Sequence, residues 1–322
     1  MVETNVHFPA DTIQLYDAIR KTIEVCAKLS EQQGSSQWRQ FSHNIRGIKR
    51  LLRVVHQLKR STSKKPEKKV VKDQQIKQAH RDYLAAVDFQ LQRAVSTGAE
   101  LGDCNPMQFN QLHHYIAHAE VQIGQIRRRV FNQEIIPHKE KVFSIFQPHT
   151  EWISKGKAGV PVELGLRVCI IEDQYRFILH HQVMEKVTDS DIAVSIIEET
   201  KKRFQNLRSI SYDKGFHSPD NQRELKVLLE KVVLPKKGKL SQIDKAHESE
   251  PEFRRLRRQH SAVESAINAL EVHGLDICLD DGIKGFKRYV ALAVLARNIH
   301  RFGAVLYQQD AKRHRGPYKK VA

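Results

Sequence analysis

The hydrophobic pattern changes character once along the chain, near Pro137. Before it, apolar residues recur at helical steps; after it, short runs of strand character alternate with helices. Val2 to Phe8 alternates and stops at Pro9, which predicts a short strand. A helix follows, capped by Asp11 or Thr12, with Ile13, Tyr16, Ile19, Ile23 and Ala27 on its apolar face. The next helix, IRGIKRLLRVVHQLKR from Ile45 to Arg60, sets Ile45, Ile48, Leu51, Leu52, Val55 and Leu58 on one side. Arg46, Lys49, Arg50, Arg53, Lys59 and Arg60 lie largely on the other. STSKKPEKKVVKDQQ, from Ser61, is polar and broken by proline, and predicts an exposed connector before helices at about 73–97 and 107–134.

Beyond Pro137, KVFSIF, VELGLRVCIIED and YRFILHHQVM predict strands, the last two joined by a turn at Glu172 to Tyr175. The helix SDIAVSIIEETKKRF and the strand LRSISYDKGF come next, then a helix from Pro219 to Lys231 and the short strand KVVLP. This order describes a mixed α/β sheet with Ser209 to Tyr212 as a central strand. The basic segment from Lys236 to His260 is poorly patterned, two apolar helices are expected at about 261–272 and 286–308, and the tail KRHRGPYKK reads as flexible.

Composition narrows the partners. With 322 residues, 40% of them hydrophobic, the chain can build a core, and 54 Lys and Arg against 37 Asp and Glu leave a formal charge of +17. Such a surface concentrates polyanions, so DNA, RNA and anionic membrane all fit. No run approaches the ~18 apolar residues of a membrane span, and residues 1–30 lack the pattern of a signal peptide, so a cytoplasmic location is expected. Cys26, Cys104, Cys169 and Cys278 are scattered without a CxxC pair, which predicts reduced, mostly buried thiols. Aromatic residues make up 7% and do not cluster, which disfavours an aromatic RNA-binding strand platform.

Several groups could carry chemistry. His114 and His118 have the i, i+4 spacing of a metal pair but lack an intervening Glu base or a third ligand; His180 and His181 are adjacent on a strand and face opposite ways. Asp213, in SISYDKGFHSPDN, ends a predicted strand where sites gather in open α/β sheets, and it equally suits a turn cap. Glu264, in HSAVESAINALEVHG, adjoins the apolar stripe of Val263, Ile267 and Leu270, or sits in a first helical turn to suit the helix dipole. Two hard oxygen ligands suit Mg²⁺, and the cations Lys214, His217, Lys236, Lys237, Lys239, Arg254, Arg255, Arg257, Arg258 and His260 would hold nucleic acid around them.

At these residues the chain resembles bacterial insertion-sequence transposases of the DDE type, in the ISNCY group and its relatives. The likeness runs through VFSIFQPHTEWISKGKAGVPVELGLRVCIIED, SYDKGFHSPDNQ, RRQHSAVESAINALEVHGLD and GFKRYVALAVLARNIHRF, with VETNVHFPADTIQLYDAIRK extending it to the N-terminus. It implies an RNase H-like α/β fold with a large all-helical insertion after the first strand. Residues 1–9 would be the remnant of that strand, 10–137 the insertion, 138–310 the catalytic core and 311–322 a basic flexible tail. It also implies three acids holding two Mg²⁺ ions that activate water or a 3′ hydroxyl against DNA phosphate, with Asp213 as the second acid and Glu264 as the third. The first would stand on the first strand, in a segment resembling Asp-Thr-Thr, and Met1 begins inside that strand. The expectation is therefore an N-terminally truncated transposase, inactive or nearly so; the alternative is a non-catalytic DNA-binding remnant or an inhibitor of the full-length enzyme. Counting from Glu264, the Tyr, Arg and Lys positions of a signature in some relatives hold Arg257, His260 and Glu271. The implied partners are transposon-end and target DNA and a second transposase chain, as a homodimer or a mixed dimer with full-length protein.

Overall fold

The computed structural model describes residues 1–60, 66–101, 105–154 and 162–314, and divides into two compact units. One contains residues 6–148; the other joins residues 1–5 to the chain from His149 onward.

The first unit is helical. Helices α1 (Asp11–Gln32), α2 (Phe41–Arg60), α3 (Pro66–Leu101) and α4 (Pro106–Val130) enclose one core around Leu15, Ile19, Ile23, Val55, Tyr83, Leu112 and Ile126. Two polar groups inside it are tied down: Trp38 donates its indole N–H to Thr97 Oγ1 at 2.8 Å, and Tyr83 its hydroxyl to the Thr12 carbonyl at 3.0 Å. The boundaries correct the sequence reading in three places. Ala10, not Asp11 or Thr12, is the N-cap of α1, and it offers no side-chain bond; Asp11 instead pairs with Arg129 at 2.6 Å. The expected connector after Ser61 is helical from Pro66, because proline at the first position of a helix starts it and sacrifices no hydrogen bond. KVFSIF is not a strand: the Gln14 side chain takes up its backbone, accepting from Ile145 N and donating to the Phe143 carbonyl.

The second unit is built on a curled mixed sheet. Strands β1 (Val2–Thr4), β2 (Glu151–Ser154), β3 (Val162–Glu172), β4 (Ile178–Met184) and β7 (Ile277–Cys278) form it, with β3 long enough to pair β2 and β1 at its start and β4 at its end. All pairs are antiparallel except β1 with β7. Gly165 is required where β1 crosses β3, since a Cβ there would lie 2.1 Å from the Val2 carbonyl oxygen. The turn between β3 and β4 is held by Asp173, whose Oδ1 accepts from Tyr175 N and Phe177 N.

Side chains of β3 alternate between two cores. Cys169 and Ile171 join Ile196, Ile197, Tyr212 and Leu225 on one face, and Leu166, Val168 and Ile170 join Phe286, Val290 and Val294 on the other. Helices α5 (Asp189–Ile192), α6 (Ser195–Arg203) and α7 (Pro219–Leu228) belong to the first layer, and the 33-residue helix α10 (Gly282–His314) to the second. The strand expected to be central, β5 (Ser209–Ser211), leaves this sheet and pairs in parallel with β6 (Lys231–Val233) alone. The segment read as unpatterned, Lys236 to His260, holds α8 (Gln242–Ser249) and the first half of α9 (Pro251–Leu270), whose second half is the helix expected at about 261–272; each is started by a local signal, a Ser241–Asp244 capping box and a proline in the first turn. Residues 311–314, expected in the flexible tail, are the last turn of α10; the rest of that tail lies outside the described residues, as does Cys104. Cys26, Cys169 and Cys278 are buried free thiols, and burial pushes the first two up to about 12. Among the described residues, no helix is long and apolar enough to cross a membrane.

Candidate nucleic-acid interface

Asp213 stands just past the carboxyl end of β5, on backbone fixed from both sides. Tyr212 is buried, donates its hydroxyl to the Ala193 carbonyl at 2.6 Å and stacks on Phe216. The Asn221 side chain donates to Ser190 O and Phe216 O, so the loop is pinned to α5. Within this frame Asp213 is exposed and caps a 3-10 turn, Lys214–Phe216, accepting from Lys214 N at 2.6 Å. The turn-cap reading of Asp213 is therefore realised.

Glu264 lies in the fourth turn of α9, not the first, so the helix N-terminus does not explain it. It is exposed, and so is Ile267, which the sequence placed on the core side; Phe253, Ala266 and Leu270 are the buried positions. Polar contacts set the direction of α9 along β6. Lys231, at the start of β6, binds Glu252 at 2.6 Å, while Lys236, beyond its end, donates its backbone N–H to Glu248, which also meets Arg257 at 3.5 Å. Helix α9 thus runs in the direction of β6 and carries Glu264 about 10 Å past Arg257. Asp213 follows the carboxyl end of β5, and Glu264 lies farther along α9 in the direction in which β6 runs.

Of the cations expected around them, Lys214, Lys237, Lys239 and Arg254 are exposed, as are Arg255 and Arg258. Two others are already engaged: Lys236 binds Asp244, whose carboxyl it holds far below the ordinary range with help from Ser241, and Arg257 binds Glu248. His217 and His260 are half-buried. Among the described residues no three His, Cys, Asp or Glu side chains come together as a metal site. His114 and His118 touch edge to face with centroids 4.6 Å apart, and His180 and His181 are 6.5 Å apart; burial lowers the basicity of His118, His180 and His181. Glu151, on β2, is used structurally, accepting from the backbone of Lys186.

The helical unit carries a second cationic surface. Helix α2 has six Lys and Arg and no acid. At 100° per residue, Arg46, Lys49, Arg50, Arg53 and Arg60 fall within an arc of roughly 100°, opposite the buried Ile48, Leu52 and Val55. All five are exposed, and among the described residues none forms an ion pair; Lys49 alone has a ring contact, 5.9 Å over Tyr16. Lys59 departs from the stripe: it approaches Asp11, and desolvation lowers its basicity. The result is a row of positive charge about 21 Å long, from Arg46 to Arg60. The sequence disclosed the cations but not that they go unneutralised, which depends on where acids from other helices fall. No family model, no characterised protein and no solved structure matches this chain.

Proposed function

We propose that this chain is a DNA-binding protein built on the plan of a DDE transposase, gripping duplex phosphates without cutting strands by itself. The observation that carries the binding half is the α2 stripe: five exposed, unneutralised cations in a row on a chain of formal charge +17. Held against duplex DNA, each would displace a condensed counterion, so affinity would fall steeply with salt. Lys214, Lys237, Lys239 and Arg254 would add contacts beside Asp213 and Glu264.

The transposase half rests on the sequence resemblance and on two exposed carboxylates, Asp213 just past β5 and Glu264 on α9. An RNase H-like core, interrupted after β1 by the helical unit, is the finer form of the reading. The antiparallel run β1–β3–β4 supports it; the Asp213 strand, which that fold sets beside β1, has β6 for its neighbour. Two Mg²⁺ ions held by three acids would supply the phosphoryl-transfer chemistry in such an enzyme. The resemblance assigns two of those acids here, Asp213 and Glu264, which would hold the ions together with a third.

The test uses the full chain with labelled duplex DNA in Mg²⁺ or Mn²⁺. The expected result is salt-sensitive binding, no cleavage or joining, and unchanged binding by Asp213→Asn and Glu264→Gln. Cleavage or joining that Asp213→Asn abolishes would overturn the non-catalytic half; failure to bind duplex DNA at low salt would overturn the binding half.

A further inference from the structure

Helix α10 is apolar on two opposite sides, and among the described residues only one has a partner. Its inner side buries Phe286, Val290 and Val294, Asn298 bonds both N–H and carbonyl of Ile178, and Arg301 donates to the Tyr175 carbonyl. Past Arg301 the helix continues to His314 without burying another residue. On the outer side Leu292, Leu295, Ile299, Phe302 and Leu306 are each between 44% and 61% exposed. A helix of a soluble protein normally turns its polar side outward. Here five large apolar side chains form the outer row.

Their spacing says what kind of surface covers them. The steps are three, four, three and four residues, the seam along which one helix receives another. Beside the seam stand Ala291, Ala296 and Gly303, small enough for a second helix to come close. The charged residues of this stretch, Arg297 and Arg301, lie on the inner side. Two copies of a chain carrying +17 can therefore meet here without opposing like charges. Closing the row against itself would cover on the order of 1,000 Å², the lower bound for a specific interface.

We infer that the outer face of α10 is a self-association surface, joining two copies of this chain helix to helix about a two-fold axis. Ile299 is at the midpoint of the row, seven residues from either end, and meets its own copy whether the helices run parallel or antiparallel. Two heptads make a short seam, so the dimer forms reversibly at micromolar concentrations.

The experiment needs no DNA, so its failure leaves the nucleic-acid reading intact and the reverse also holds. Light scattering of the full chain across a concentration series should show the mass rising from 37.3 kDa towards twice that value. Leu295→Glu with Phe302→Glu, both at exposed positions, should stay monomeric at every concentration with an unchanged circular dichroism spectrum. Mild oxidation of Ile299→Cys should give a disulfide-linked dimer that the parent chain does not. A parent chain monomeric throughout, a dimer that survives the two glutamates, or no cross-link at residue 299 would each overturn the inference.

Discussion

Helices α2 and α4 both carry runs of basic residues on the same unit, and the two runs meet opposite fates. Each member of the α4 run is neutralised: Arg127 binds Asp88 at 2.7 Å, Arg128 binds Glu134 and Glu140, and Arg129 binds Asp11. Along α2, Arg46, Lys49, Arg50, Arg53 and Arg60 have no acid within ion-pair distance among the described residues. The α4 arginines fasten the ends of helices and the loop after them; the α2 cations leave their charge to solvent. Basic composition alone therefore does not mark a phosphate-binding face, because neighbouring acids decide whether the charge is available.

The largest effect that can break this contrast is charge reversal on α2. Arg46→Glu, Arg50→Glu and Arg53→Glu together should weaken duplex binding by about 100-fold or more at low salt, measured by fluorescence anisotropy, since three phosphate contacts become repulsions. The folded state should be unaffected, the side chains being exposed and unpaired. The reciprocal change on α4 should do the opposite. Arg129→Gln leaves the largely buried Asp11 carboxylate without its partner, which should destabilise the protein by roughly 1–3 kcal/mol in urea unfolding and leave DNA affinity within about twofold.

Acid should act on the same unit more gently. Burial lowers the basicity of His56, His80 and His118, and His80 is fully enclosed with its Nδ1 on the Ile76 carbonyl. Above the unfolded value of about 6.5 these groups are neutral in both states and stability is held. As pH falls below that value the unfolded chain takes up protons that the folded chain refuses, and stability drops until the lowered folded values are passed. Thermal unfolding should therefore occur at a lower temperature at pH 5.5 than at pH 7.5. The smallest effect belongs to Asp213. Asp213→Ala removes one cap from an exposed turn, for a cost of about 0.5–1 kcal/mol and no change in DNA affinity.

The long periodic elements were legible from the chain: α1, α2, β3, β4 and α10 are where alternation or helical recurrence predicts them, because each buries several apolar residues on a definite side. Strands β2 and β7 were not, being four and two residues long and defined by their partners β3 and β1. Helix α8 and the first half of α9 were missed although Ser241, Asp244 and Pro251 announce their starts, whereas the helix expected at about 261–272 is the second half of α9; the face of α9 that packs inward includes His260 and Ala266, which carry little apolar signal. KVFSIF has the composition of a strand and is diverted by one distant side chain, Gln14. At the candidate site, Asp213 and Glu264 were found by residue type and local pattern. Their exposure, the capture of Lys236 and Arg257 by Asp244 and Glu248, and the open stripe on α2 are tertiary facts that no local pattern contains.

The central claim is that the α2 stripe holds duplex phosphates, and the salt dependence of binding tests it most directly. Five contacts predict a slope of log K against log salt concentration of about −4.5 from this stripe, and Arg46→Gln with Arg50→Gln and Arg53→Gln should flatten the measured slope by about 2.7. A slope that the three glutamines leave unchanged would contradict the account.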